Sequence, residues 1–190
     1  MSPLNESEQL ELLRIARQAL VGYLNLAEIP QVREPAEALR QQCGAFVSLH
    51  NGKNLRGCVG VISAKKPLYL TVGECAVWAG LHDHRFPPVT KRELKDLNFE
   101  ISVLSPLADI APEEIEVGRH GLVVSHQGSR GLLLPQVAVQ WKWNRERFLE
   151  ETCRKAGLEP DTWRRGAQIQ AFTAQVFQEA HPPGSSHSTA

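Results

Sequence analysis

Leu10, Leu13, Leu20 and Leu24 recur at helical spacing through an otherwise polar stretch. The pattern predicts an amphipathic helix from about Glu6 to Asn25 with those leucines turned toward the core. Asn5 and Glu8 stand at the offset of a capping box at its start. Pro30 and Pro35 end the pattern, and a short helical piece from about Pro35 to Gln42 follows. The period then switches from helical to alternating. Ala45 to His50 reads as a strand, Asn51-Gly52 as a two-residue turn and Lys53 to Ile62 as the returning strand. A turn of that length would pair Leu49 with Asn54, Val47 with Arg56 and Ala45 with Cys58. Arg56 and Cys58 would then share one face, because strand side chains alternate.

Downstream, Pro67 can open a helix reaching about Leu81, with Leu68, Val72, Cys75, Ala76 and Ala79 as its apolar stripe. The loop HDHRFPPVT follows. Thr90 and Glu93 fit a capping box for a short helix to Leu97, and Phe99 to Leu104 alternates as a strand. Two short β runs, Gly121–Ser125 and Gly131–Leu134, flank a turn at Gly128. Gly131 to Ala138 is apolar enough for a buried strand leading into a turn, and Trp141 and Trp143 alternate on an extended piece. A helix from about Asn144 to Ala156 has Asn144 as N-cap, and Gly157 and Leu158 are placed for a Schellman end. A last strand runs from about Ile169 to Gln178. Hairpins outnumber βαβ units, which favours α+β with antiparallel pairing.

Composition narrows the function classes. The 190 residues suit one large domain or two small subdomains. Twenty-one basic and 21 acidic residues cancel, so no global field draws nucleic acid or an anionic membrane. No aromatic–basic module is visible, and neither a nucleic-acid nor a membrane partner is expected. The polar, acidic N-terminus lacks the order of a secretory signal. The four cysteines are scattered without a C-x-x-C pair, as suits reduced thiols in a cytoplasmic protein. Residues 181–190, Pro/Gly/Ser-rich, read as a disordered tail.

Candidate chemistry gathers at Leu55-Arg56-Gly57-Cys58-Val59-Gly60. A thiolate is a nucleophile and a nearby cation favours it. Gly57 and Gly60 remove side chains that would block approach to the backbone. The stretch suits a small anionic or carbonyl ligand beside a thiol. The bland alternative is a cysteine serving as a small core hydrophobe, with glycines marking a bulge or tight packing. His120, between Gly118 and Gly121, is the candidate proton carrier, or else ties its own loop by a hydrogen bond. Asp83 and Arg85 read as a structural or site-lining pair. The His82-Asp83-His84 run has no second cluster at ligand spacing, so no metal site is assigned, and no cofactor motif is present.

The same stretches carry a family resemblance. Leu55 to Gly60 looks like an LRGCIG signature with valine for isoleucine. The match continues through Asp83 and Arg85-Phe86-Pro87-Pro88, Glu100 to Leu104, Val117-Gly118 with His120-Gly121, Gly131 to Ala138, and Trp141 to Trp163. In this the chain resembles the AmmeMemoRadiSam system protein A family, also called the AMMECR-one domain family. The resemblance implies one domain over residues 1–180 made of two interleaved, unequal α+β subdomains. These would have mainly antiparallel sheet flanked by helices and a cleft between them, into which Gln136 would project. It also implies association with a Memo-like protein and a radical-SAM protein. His84 stands where relatives carry proline or a small residue, which detaches His82 and His84 from any family-wide chemistry. Two functions are expected. One is an enzyme component with a thiol-centred site: Cys58 and His120 catalytic, Arg56, Gly57, Gly60, Asp83, Arg85 and Gln136 binding substrate. The other is a non-catalytic adaptor for the two implied partners.

Overall fold

In the computed structural model, which describes residues 3–180, the chain divides into two units. The smaller is Leu104–Gln175; the larger takes the chain up to Val103 and from Val176 onward. The expected tail at 181–190 lies outside the described residues. The antiparallel pairing and the helices make this an α+β protein, as the patterning predicts. Among the described residues no helix is long and apolar enough to cross a membrane.

The larger unit begins with α1 (Glu6–Leu26). Asn5 Oδ1 accepts from the Glu8 N–H at 3.0 Å and Glu8 Oε2 from the Asn5 N–H at 2.8 Å, so the predicted box closes. Leu13 and Leu20 are buried as expected, but Leu10 is 59% exposed. The buried stripe runs instead through Leu12, Leu13, Ile15, Ala16, Ala19 and Leu20, a face onto which Leu10 does not fall. A 3₁₀ turn at Glu37–Arg40 replaces the short helical piece.

β1 (Ala45–Asn51) and β2 (Asn54–Val61) form the first hairpin, followed by α2 (Leu68–Leu81) and β3 (Leu97–Leu104). The Thr90 N–H and hydroxyl both donate to Glu93 Oε2, yet only a 3₁₀ turn at Glu93–Lys95 follows, with β3 beginning at Leu97. With β8 (Ala174–Gln178) these strands make a sheet in the order β2-β1-β3-β8. α1 and α2 pack on the face that carries Ala45, Val47, Leu49, Phe99 and Ile101, all buried. The opposite face presents the alternate residues of β1, including Phe46, Ser48 and His50.

The smaller unit holds β4 (Ala108–Asp109), β5 (Gly121–His126), β6 (Ser129–Leu133) and β7 (Gln168–Phe172), in the antiparallel order β4-β7-β5-β6. The single strand expected over 169–178 is two strands of different sheets, broken at Thr173. Residues 135–138 are not strand: Pro135 opens the short helix α3 (Pro135–Gln140). α4 (Arg145–Lys155) has the predicted N-cap, Asn144 Oδ1 accepting from the Arg147 N–H. It ends in the predicted Schellman motif, with Leu158 N–H to Cys153 O and Gly157 N–H to Arg154 O, both 2.9 Å. Its core gathers Leu122, Val124, Phe148, Leu149, Cys153 and Ile169.

Candidate functional site around Cys58

The hairpin register decides which groups surround Cys58. The turn lies at Gly52-Lys53, closed by the Asn51–Asn54 pair, one residue later than Asn51-Gly52. A bulge then follows: His50 pairs with Leu55 and Leu49 with Gly57, which leaves Arg56 as the extra residue. Beyond it Ser48 pairs with Cys58 and Val47 with Val59. The expected pairs Ala45–Cys58 and Val47–Arg56 are therefore corrected. A two-residue turn followed by regular pairing would have placed Cys58 opposite Ala45 on the helix-covered face; the observed turn and bulge turn it to the other side.

On that outer face Ser48 is paired with both Cys58 and Glu100, so the three side chains form one row across β2, β1 and β3. The Ser48 hydroxyl donates to Cys58 Sγ at 3.2 Å. His50 lies two residues along β1 on the same face, and its Nε2 is buried with no hydrogen-bond partner. Ser48, Glu100 and His50 escaped the sequence reading. Ser48 and Glu100 are found only by pairing strands in the right register, and the bulge hides that register.

Asp83 and Arg85 complete the surroundings. β2 is an edge strand, and an edge amide needs a partner other than a strand. The Cys58 N–H donates to Asp83 Oδ2 at 2.9 Å, and Arg85 Nη2 reaches the Cys58 carbonyl at 3.4 Å. Arg85 also grips the carboxylate twice, through Nε at 2.9 Å and Nη2 at 2.6 Å. The Asp83 side chain is buried while that of Arg85 is half exposed. The Arg85 hydrogen bonds hold the Asp83 carboxyl well below the usual carboxylate range, against the opposing effect of burial. Partial burial pushes the Cys58 thiol above its ordinary value. The Ser48 hydrogen bond and the Arg85 charge pull it down, and the Asp83 and Glu100 charges add to the rise. On balance burial favours the protonated thiol.

Arg56 is committed elsewhere. Its Nε donates to Glu93 at 2.8 Å, Nη1 to the Pro87 carbonyl at 2.8 Å and Nη2 to the Pro88 carbonyl at 3.3 Å. That pairing holds the Glu93 carboxyl down at about 2. Arg56 fastens the 87–93 loop to the bulge, and the cation beside the sulfur is Arg85. The two glycines are explained by packing. A Cβ at Gly57 would stand 2.0 Å from the Ala79 carbonyl oxygen of α2, and one at Gly60 2.3 Å from the Phe46 ring. The backbone does receive a close approach at both, from α2 and from Phe46.

His120 and Gln136 belong to the smaller unit. His120 Nδ1 accepts from the Glu116 N–H at 3.1 Å and its own N–H donates to Glu116 O, so it ties its own loop. Gln136 is exposed on α3. His82 and His84 are exposed on either side of buried Asp83. Among the described residues no three His, Cys, Asp or Glu side chains are grouped as a metal site. Trp141 and Trp143 lie at the end of α3, not on an extended segment, with rings stacked at 6.3 Å.

Comparison with known proteins gives one consistent result. The family model AMMECR1 matches residues 13–177. Protein PF1979 of Pyrococcus furiosus is 42% identical over 186 residues, 91% of this chain and 89% of that protein. A Methanothermobacter thermautotrophicus protein is 40% identical over 187 residues, 94% of this chain and 97% of its own length. The crystal structure of PH0010 from Pyrococcus horikoshii superposes with a TM-score of 0.89 at 38% identity, covering 95% of this chain and 96% of that one.

Proposed function

The chain belongs to the AMMECR1 family, and from that footing we propose that it is an enzyme component whose small-molecule site is the outer sheet face around Cys58. One observation carries the reading: a half-buried thiol stands in a polar row with Ser48 and Glu100, beside the half-exposed guanidinium of Arg85. Such a cation, already oriented by Asp83, suits a carboxylate or phosphate on a small ligand. The unpartnered Nε2 of His50 on the same face supports the reading, since buried polar atoms are as a rule paired. Arg85 takes over the anion-binding role expected of Arg56. Burial disfavours the thiolate, so any attack by sulfur first requires loss of the thiol proton.

The test uses iodoacetamide with inorganic phosphate and pyruvate as probes. Cys43, Cys75 and Cys153 are buried, so Cys58 is the thiol expected to react first on the folded protein. At least one of the two anions should slow that reaction saturably, and Arg85→Gln should abolish the protection with the fold intact. Protection by neither anion, or equal protection in Arg85→Gln, would remove the idea.

The engagement of His120 by Glu116 and of Arg56 by Glu93 and two proline carbonyls favours a second reading, the non-catalytic adaptor for a Memo-like protein and a radical-SAM protein. On that reading the chain co-purifies with both, and Cys58→Ser leaves the association unchanged. Failure to bind either at micromolar concentration counts against it.

A further inference from the structure

In the larger unit α1 and α2 lie side by side, and beside them, where the chain has left α1, lies a cavity of about 170 Å³. Its walls include Ile15 and Ala19 of α1, Ile29 and Val32 of the segment that follows, and Tyr69 and Gly73 of α2. None of them belongs to the Cys58 site. The glycines of these two helices differ in what accounts for them. A Cβ at Gly22 would stand 2.6 Å from the Pro30 ring and one at Gly80 2.7 Å from Leu20 Cδ1, so a side chain at either would force its neighbour to shift. A Cβ at Gly73 would meet Ala19 Cβ at 3.6 Å, Ile29 Cγ2 at 3.7 Å and Ile15 Cγ2 at 4.0 Å, all ordinary contacts with cavity-wall residues. Alanine therefore fits at Gly73 and would strengthen the helix, because an interior glycine weakens one. Packing does not force this glycine: a Cβ would fit there in ordinary contact, and it would take up room at the cavity wall.

We infer that this cavity binds a small uncharged apolar group, a single aromatic ring or a short branched aliphatic, and that Gly73 keeps its wall clear. The volume sets the size: the pocket, open to solvent past Ile29 and Leu70, has room for about one ring, near the ~150 Å³ of a closed apolar cavity that accepts benzene. The lining sets the charge. Glu74 is the one ionisable acid or base there apart from the Tyr69 phenol, and Lys66 already pairs it at 2.5 Å. Gln18 and Gln31 offer carboxamides to a neutral polar end of the ligand. A helix or strand of a partner protein would need a longer trough than a single-ring cavity provides.

Benzene is the probe, followed on the full chain through the methyl resonances of Ile15, Ile29 and Val32. These should shift saturably, and Gly73→Leu, which fills the space, should weaken binding about tenfold or more. Gly73→Ala should raise the melting temperature while lowering benzene affinity. It carries the test alone if the leucine variant does not fold. No saturable shift, unchanged affinity in a folded Gly73 variant, or a lower melting temperature for Gly73→Ala would overturn the inference. Cys58→Ser should leave benzene binding as it is.

Discussion

Four side chains pull the Cys58 thiol in opposite directions, and each can be removed separately. Burial is the largest influence and disfavours the thiolate; Ser48 and Arg85 favour it, while Asp83 and Glu100 oppose it. Because the folded-state value is raised, the reactive fraction at neutral pH is small. It should grow with pH through a midpoint above the ordinary thiol range of about 8.5. Glu100→Gln removes an opposing charge and should move that midpoint down, speeding iodoacetamide labelling at pH 7. Ser48→Ala removes a donor to sulfur and should move it up, slowing labelling. The pH profile of labelling in the three proteins checks the order Glu100→Gln, wild type, Ser48→Ala. The reverse order would mean that the row is not an electrostatic unit. These assignments depend on register, and register was the part of the site that could not be read in advance. The strands at Ala45 and Phe99 were legible from alternation, as were Cys58, Asp83 and Arg85 as candidates. The bulge at Arg56 was not, because it arises from tertiary demands: Arg56 must reach Glu93 and two proline carbonyls, and Gly57 must clear Ala79. A period-2 pattern carries no mark of either.

Helix ends were the most legible elements, since their chemistry is local. The Asn5–Glu8 box, the Asn144 cap and the Gly157–Leu158 end each use residues within a turn or two of one another. Where the local rule is broken, the pattern misleads. α3 also ends in a Schellman arrangement, with Trp143 N–H to Ala138 O at 2.9 Å and Lys142 N–H to Val139 O at 3.1 Å, but its left-handed residue is Lys142 at φ 53° rather than glycine. With no glycine to mark the end, Trp141 and Trp143 looked like part of a strand. Trp143 joins the core of the smaller unit, as the closing apolar residue of the motif should, while Trp141 stays 64% exposed. A side chain in the left-handed region is a standing cost. Lys142→Gly should therefore stabilise the smaller unit by about 1 kcal/mol. Urea unfolding followed by tryptophan fluorescence measures this. A destabilised variant would mean that the Lys142 side chain contributes more than its backbone strain costs.

At the scale of the whole chain, the larger unit is closed by a contact between its two ends. The chain leaves that unit at Leu104 and re-enters it at Val176. There Arg17 of α1 grips Glu179 through Nε at 2.7 Å and Nη2 at 2.5 Å. The same guanidinium donates to the Leu94 and Leu97 carbonyls and lies over the Phe99 ring at 4.7 Å. Glu179 in turn accepts the Phe99 N–H at 3.1 Å. A separation of 162 residues hides this pair from any local reading, although the family resemblance implied an interleaved chain. Both side chains are mostly buried, so removing one partner leaves the other charge poorly solvated and costs more than breaking a surface ion pair. Glu179→Ala strips Arg17 of its counter-charge and leaves the Phe99 amide without that acceptor, which should cost about 2 kcal/mol. Native-state hydrogen exchange locates the loss. If the amides of β3 and β8 exchange through opening of this unit, they should speed up by roughly 30-fold. Amides of β5 and β7, in the other unit, should hold their rates. Equal acceleration in both units would mean that they open together and that the Arg17–Glu179 pair stabilises the entire chain rather than the sheet it closes.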